Sequence, residues 1–207
     1  MTDPNTPASQ TDAEPQRHIV DWKNLPAGYP TQLHSPDFWE ALGRTVATFG
    51  FLENVLGRAI FAITGTTELP EDPAVAEVLL KDWPRTLERA LFYPLGNLID
   101  LFGKVVRENA KTTITNLDVL IEELRGAADL RNVLCHGFWG MPDAAGRSVP
   151  FFVNRKVEIF EAPVDVAFLD QTRAATLEMA CGVINVVTHM GWQFPGSSGP
   201  GKPIWPE

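Results

Sequence analysis

Cysteine, basic charge and long apolar runs are all scarce in this sequence. Its two cysteines, Cys135 and Cys181, are too few for a disulfide framework, so we expect a reducing intracellular setting. No uninterrupted apolar run reaches the roughly 18 residues that a membrane span requires. The first residues are polar and acidic, which is not typical of a signal peptide. We therefore expect a cytoplasmic protein with no membrane partner.

The charge balance limits the partners that the surface can attract. The chain has 17 Lys and Arg against 26 Asp and Glu, a formal net charge of −9. Proteins that coat themselves with nucleic acid are usually basic, because neutralising phosphates dominates that affinity. Any function directed at RNA must therefore depend on a local basic site.

Length and composition predict one folded domain between two polar ends. The chain has 207 residues, of which 44% are hydrophobic, enough for a substantial core. Residues 1–34 are rich in Pro, Thr, Asp and Gln and predict a disordered or loosely packed arm. Residues 35–192 form the predicted helical domain, and residues 193–207 a Pro/Gly-rich tail.

Apolar periodicity predicts an all-α bundle of about five helices. Caps and breakers place them near residues 35–65, 72–83, 84–102, 116–136 and 166–188, with Pro94 kinking the third and Gly137 ending the fourth. Before the last helix, the stretches "GFWGM", "SVPFFVN" and "KVEIFEA" are aromatic and β-branched. They predict a small antiparallel β-hairpin insertion.

Two features of the first helix require a partner. Gly43, Gly50 and Gly57 recur every seven residues beside the apolar face. Each costs about 0.5–1 kcal/mol relative to alanine, which predicts close approach by another helix, from the bundle or from a second subunit. Glu53 lies on the apolar face itself, where a buried carboxylate needs a cationic or hydrogen-bonding partner.

The candidate catalytic residues lie in "LRNVLCHGFWG", at the end of the predicted fourth helix. Arg131 and His136 are about 140° apart on a regular helix, although a long arginine can wrap back, and Asn132 shares a face with His136. Histidine exchanges protons near neutral pH, and arginine offers a planar fork suited to phosphate oxygens. Together they supply what RNA cleavage by its own 2′-hydroxyl needs, with no metal or cofactor.

The string "RNVLCH" resembles the Arg–x4–His signature of the HEPN superfamily, and "FGFLENVL" in the first helix is compatible with that group. These are compact helical domains, many of them metal-independent endoribonucleases of toxin–antitoxin, phage-defence and RNA-processing systems. The resemblance covers residues 36–192, although only the short string is specific. It implies that Arg131 and His136 are the catalytic pair, with Asn132 as the polar position after the arginine. It also implies a homodimer with facing motifs, and an antitoxin or another protein as a further partner.

The position of Glu53 leads to a separate prediction. A glutamate on the first helix and an arginine on the inner side of the fourth can pair across the bundle. We predict that Glu53 orients Arg131, with the two side chains within about 6 Å or joined by a water.

Other interpretations of the same residues stay open. Arg131 is alternatively a structural ion-pair residue and His136 a helix cap, in a non-catalytic binding or dimerisation module. Acidic charge favours this rival, and a His136 buried with both nitrogens bonded to backbone would support it. A zinc site using Cys135, His136, Cys181 and His189 matches no common ligand spacing.

The remaining histidines, Cys135 and the aromatic residues receive simpler interpretations. Cys135 is expected to pack in an apolar neighbourhood, and His18 and His34 fall in the polar arm. Phe138, Trp139 and "PFFVNRKVEIF" either stack bases beside Arg155 and Lys156 or seal the insertion onto the bundle. We favour sealing, since large apolar side chains are usually inside.

Overall fold

The computed structural model describes residues 21–205, which divide after Gln32 into two compact units. In the first unit, the 3-10 helix Trp22–Asn24 is capped by Asp21, whose carboxylate accepts a hydrogen bond from the Lys23 amide at 3.1 Å. Of the predicted arm, residues 1–34, the first 20 residues lie outside the described range. Its last two residues, 33 and 34, belong to the second unit.

The second unit is mainly helical, as predicted, and its described part contains five α-helices. Ser35 caps the first helix by accepting from the Phe38 amide, and Asp165 caps the last by accepting from the Phe168 amide. The helices are α1 (Pro36–Gly65), α2 (Pro73–Phe92), α3 (Leu95–Glu108), α4 (Leu117–His136) and α5 (Val166–His189).

The central helix of the bundle is α1, because every other helix packs against it. Its closest partner is α5, and the Thr45 hydroxyl lies 3.1 Å from the Leu169 carbonyl at their buried contact. Its largest fully buried side chains are Phe49, Leu52, Leu56, Ile60 and Ile63. This core stabilises α1, which carries Glu53. Helix α4, which carries Arg131, packs against α1.

Helix α1 meets the length and mean hydropathy of a membrane span, although it contains no uninterrupted apolar run of that length. By length and composition, it is the one helix within residues 21–205 that is long and apolar enough to cross a membrane. Its most apolar 18-residue window has a mean hydropathy of 1.4, and 44% of that window is buried inside the bundle. A count of uninterrupted apolar residues misses such a helix, because scattered polar positions break the run without lowering its average much.

The predicted boundary between the second and third helices is wrong. The chain stays helical through Pro84 and breaks at Pro94, which precedes the first residue of α3. Next to Pro84, the Trp83 indole donates to the Thr64 hydroxyl at 3.0 Å and its ring stacks on Phe61. These contacts hold α2 against α1 at the residue where a proline would otherwise favour an end.

Residues 137–165 cross the surface as an irregular segment with isolated antiparallel bridges, and no strand is found in the described part of the chain. The stretch 148–153 changes its partner at every bridge, so a continuous ladder does not form. The bridged pairs are Phe138 with Phe151, Ser148 with Val164, and Val153 with Ile159.

The chain after α5 folds back along α1. Phe194 is buried in the core, and the Arg58 guanidinium donates to the Pro195 carbonyl at 3.1 Å. Further on, the Trp205 ring lies edge-on to Phe61. The folded body therefore extends past residue 192 into the predicted tail, whose last two residues are outside the described range.

Candidate active site

The end of α4 is fixed by a close approach of the chain. Gly137 follows the last helical residue, His136, and its amide donates to the Val133 carbonyl at 2.8 Å. Its φ of −68° is open to any residue, so left-handed backbone does not explain the glycine. A Cβ there would lie 2.6 Å from the Val133 oxygen and 2.8 Å from Pro150 Cβ. The predicted helix end is confirmed, and lack of space is its reason.

The predicted contact between the first and fourth helices is present. Arg131 Nη2 lies 3.7 Å from Glu53 Oε1, which confirms a separation below about 6 Å. Both side chains are 32% exposed, so the expectation of a buried glutamate is wrong. A pair of this kind contributes about 0–1 kcal/mol to folding. Its main consequence is therefore the orientation of the guanidinium.

Asn132 holds the same guanidinium from another side. Its Oδ1 accepts a hydrogen bond from Arg131 Nη1 at 3.4 Å, while Arg131 Nη2 faces Glu53. A guanidinium carries five N–H donors in a rigid fork, so these contacts leave donors free for an anion. Arg131 is thus oriented by two acceptors and can still bind phosphate.

His136 is exposed on the last turn of α4. Among residues 21–205 its imidazole has no hydrogen-bond or ion-pair partner, including Arg131 and Asn132. The structure therefore brings Glu53, Arg131 and Asn132 into contact and places His136 one turn beyond Asn132. This differs from the buried, backbone-bonded histidine that would have favoured a purely structural role.

Cys135 does not pack as expected. Its thiol is free and exposed, and the thiol of Cys181 is free and exposed as well. Within the described range no group of three His, Cys, Asp or Glu side chains is placed to hold a metal ion.

His34, assigned to the polar arm, is buried in an aromatic cluster. Its ring stacks on Phe38 at 4.4 Å and lies edge-on to Trp39 and Trp139. Its Nε2 is buried without a hydrogen-bond partner in the described structure, and burial lowers the pKa of the imidazole. Periodicity gives no signal for this burial, because Trp139, the third ring of the cluster, comes from the segment after α4, far along the chain.

The aromatic residues after α4 divide into two groups. Trp139 packs edge-on against Phe38 at 5.0 Å, so for this residue the sealing interpretation is confirmed. Phe138 and Phe151 are 70% and 64% exposed, so for them it is wrong. Arg155 and Lys156 are exposed at the turn of the same segment.

Neither of the two main clefts found in the described structure contains Arg131 or His136. One, of about 580 Å³, is lined by Asn185 and His189 of α5 together with Glu123 and Glu178. The other, of about 800 Å³, lies between α2, α3 and the end of α1. Both clefts therefore lie away from the candidate residues, of which His136 is exposed and Arg131 and Asn132 are half-buried.

The glycine stripe has no partner within the described chain. A Cβ added at Gly43, Gly50 or Gly57 would meet nothing within 4 Å. The prediction that another helix of the same bundle approaches these glycines closely is therefore wrong. Contact with a second subunit stays a prediction.

Comparison with known proteins adds no assignment: no family model, no curated protein and no solved structure matches this chain. The likeness to HEPN domains therefore depends on the short Arg–x4–His string and on its position at a helix end.

Proposed function

We propose that this protein is a metal-independent endoribonuclease of HEPN type that works as a homodimer in the cytoplasm. One observation carries the proposal: Arg131 is oriented by Glu53 and Asn132, and His136, five residues later at the end of the same helix, is exposed with no competing partner in the described structure. A phosphate-binding cation and a histidine able to carry a proton thus both belong to the last turns of one helix. In this proposal the bridged segment after α4 corresponds to a β-hairpin insertion.

The proposed reaction uses the nucleophile that RNA itself carries. The 2′-oxygen attacks the adjacent phosphorus, the bond to the 5′-oxygen breaks, and the products are a 2′,3′-cyclic phosphate and a 5′-hydroxyl. His136 takes the proton from the 2′-hydroxyl or gives one to the leaving oxygen. Arg131 neutralises the charge that builds on the phosphorane-like state, while Glu53 and Asn132 position it.

A second copy of the chain would complete the site. His136 lies outside both clefts of the single chain, whereas phosphodiester cleavage benefits from excluded water. Facing motifs would enclose the RNA and provide one histidine as base and the other as acid. The glycine stripe of α1 is a candidate seam for this pairing. A role in a toxin–antitoxin or defence system, with an antitoxin as partner, belongs to the same proposal.

The rival is a non-catalytic HEPN-like module for binding or dimerisation. The net charge of −9 supports it, because a surface of that sign repels RNA. In this alternative Arg131 serves as an ion-pair residue and His136 caps α4.

RNA cleavage in EDTA by wild type and His136→Ala separates the two. His189 is the matched control, because it is also an exposed histidine at the last position of its helix. We expect His136→Ala to lower the rate by about 10²–10⁴-fold, the usual contribution of a general acid or base. His189→Ala should cleave like wild type. Equal cleavage by His136→Ala and wild type would reject the assignment.

A further inference from the structure

One face of the bridged segment is apolar and exposed. It consists of Phe138, Phe151, Val153 and Ile159, and we call it the ribbon face. These side chains are 70%, 64%, 40% and 58% exposed, respectively. Phe138 and Phe151 exchange two backbone hydrogen bonds, at 3.0 and 2.8 Å, so their side chains project from the same side.

The opposite face of this segment already covers the core. Phe160, next to Ile159, packs against the core cluster, and the neighbouring Phe152 is half-buried. Side chains alternate between faces along extended backbone, so the outward positions would ordinarily be polar. Four adjacent apolar side chains there indicate a binding surface, since exposed apolar patches commonly mark one.

A histidine lies at one end of the ribbon face, and two cationic groups lie at the other. Phe138 comes two residues after His136, so their Cα atoms are within about 7 Å. At the far turn, Arg155 and Lys156 are exposed and have no ion-pair partner among residues 21–205. The nearest carboxylate in sequence, Glu158, accepts from the Asn154 amide at 2.7 Å. An anionic chain bound here would meet positive charge at the turn beyond Phe151 and the His136 imidazole at the other end.

The phenyl rings are free to receive planar groups. Within the described structure neither Phe138 nor Phe151 stacks on another aromatic ring. Bases of single-stranded nucleic acid stack on such rings, and adjacent cations hold the phosphates. A protein partner would find the apolar side chains equally useful, but it would not explain the two unpaired cations at the turn beside them.

We propose that the ribbon face binds unstacked bases of single-stranded RNA, with Phe138 and Phe151 as the stacking residues and Arg155 and Lys156 as phosphate contacts. The choice of RNA as the ligand rests on the proposed function. A further requirement is that the RNA next to the scissile phosphate is unpaired, because bases within a duplex cannot reach the rings. Phe138 and Phe151 are then binding residues of the site and have no part in the chemical step.

Binding of a 2′-O-methyl oligouridine tests the inference separately from catalysis, because this probe lacks the attacking hydroxyl. Fluorescence anisotropy at constant salt would compare Phe138→Leu, Phe151→Leu and Phe138→Trp with wild type. Leucine keeps the apolar surface and removes the stacking face, so each leucine variant should bind roughly tenfold more weakly. Phe138→Trp should keep the affinity. Phe92→Leu is the control, since Phe92 is 80% exposed on α2.

Binding that is unchanged in both leucine variants, or absent in wild type, would overturn the inference. A change in oligomeric mass with unchanged RNA affinity would identify the ribbon face as a protein interface, which also overturns it. If the rings determine binding while unmodified RNA stays intact, the proposed function fails and the stacking surface stands. If cleavage needs His136 while binding and cleavage do not need the rings, the proposed function stands and the stacking surface fails.

Discussion

The last turns of α4 and α5 carry nearly the same residues in different surroundings. The α4 helix ends in "RNVLCH" and α5 in "INVVTH", so both have asparagine four positions before an exposed terminal histidine. The position five residues before the histidine is Arg131 in one helix and Ile184 in the other. A terminal histidine alone is therefore an ordinary helix end, favoured by the helix dipole.

The two histidines also differ in the charged groups around them. His189 lines a cleft that also contains Glu123 and Glu178, with no lysine or arginine in its wall. His136 follows an arginine that Glu53 and Asn132 orient. A phosphate would meet carboxylates without a cation at the α5 end, and a guanidinium with unused N–H donors at the α4 end. The comparison thus assigns the difference in expected chemistry to Arg131 and its two acceptors.

The largest expected effect comes from making α4 resemble α5. Arg131→Ile should lower RNA cleavage in EDTA by about 10²–10³-fold, because the charge on the phosphorane-like state loses its stabilising cation. Its stability should change by only about 1 kcal/mol, since the ion pair is partly exposed. Initial rates and thermal melts check both parts. The reverse change at the other helix, Ile184→Arg, should add no activity to His136→Ala.

The next effect concerns the way α4 ends. Gly137→Ala should destabilise the fold by about 1–3 kcal/mol, because the new Cβ would crowd the Val133 carbonyl and Pro150. Gly140→Ala is the control, since a Cβ there meets nothing within 4 Å. Urea unfolding of both variants measures the difference. Equal stability would show that the chain after α4 relaxes freely.

Glu53→Gln tests whether Glu53 acts through Arg131. We expect a loss of cleavage on the order of 10-fold, because a misplaced guanidinium stabilises the charge less well. In the Arg131→Ile background the same change should have no further effect. That non-additivity distinguishes a positioning residue from one that acts alone. Independent, additive losses would contradict this role.

The smallest expected effect is a pH dependence of stability caused by His34. Burial lowers the folded-state pKa of this imidazole, so the unfolded chain binds the proton more readily. The free energy of unfolding should hold above about pH 6.5, the ordinary histidine pKa, and fall as the pH decreases below it. His34→Phe should remove most of this dependence in urea titrations at pH 5 to 8. An unchanged pH profile would show that other groups cause it.

Local signals predicted the helices that frame the site. Ser35 caps α1 and Gly137 follows α4, and both signals act through contacts with near neighbours in the chain. The Glu53–Arg131 contact was predictable because a carboxylate beside an apolar helix face requires a partner from elsewhere. The two helix ends have local causes in the sequence, whereas this contact joins two helices and was predicted from the character of Glu53 alone.

Features that depend on distant contacts were missed. Helix α2 continues through Pro84 next to Trp83, which contacts Thr64 and Phe61 on α1. The outward position of Cys135 and the burial of His34 likewise depend on how the helices and the 137–165 segment pack. Periodicity along one helix does not contain that information.

The central claim is that Arg131 and His136 cleave RNA through its 2′-hydroxyl without a metal. A DNA oligonucleotide with a single ribonucleotide, incubated in EDTA, tests this most directly. The account predicts one cut, directly after the ribose, leaving a 2′,3′-cyclic phosphate and a 5′-hydroxyl, with no cut by His136→Ala. Cleavage of the all-DNA strand, a requirement for added metal, or the same cut by His136→Ala would contradict it.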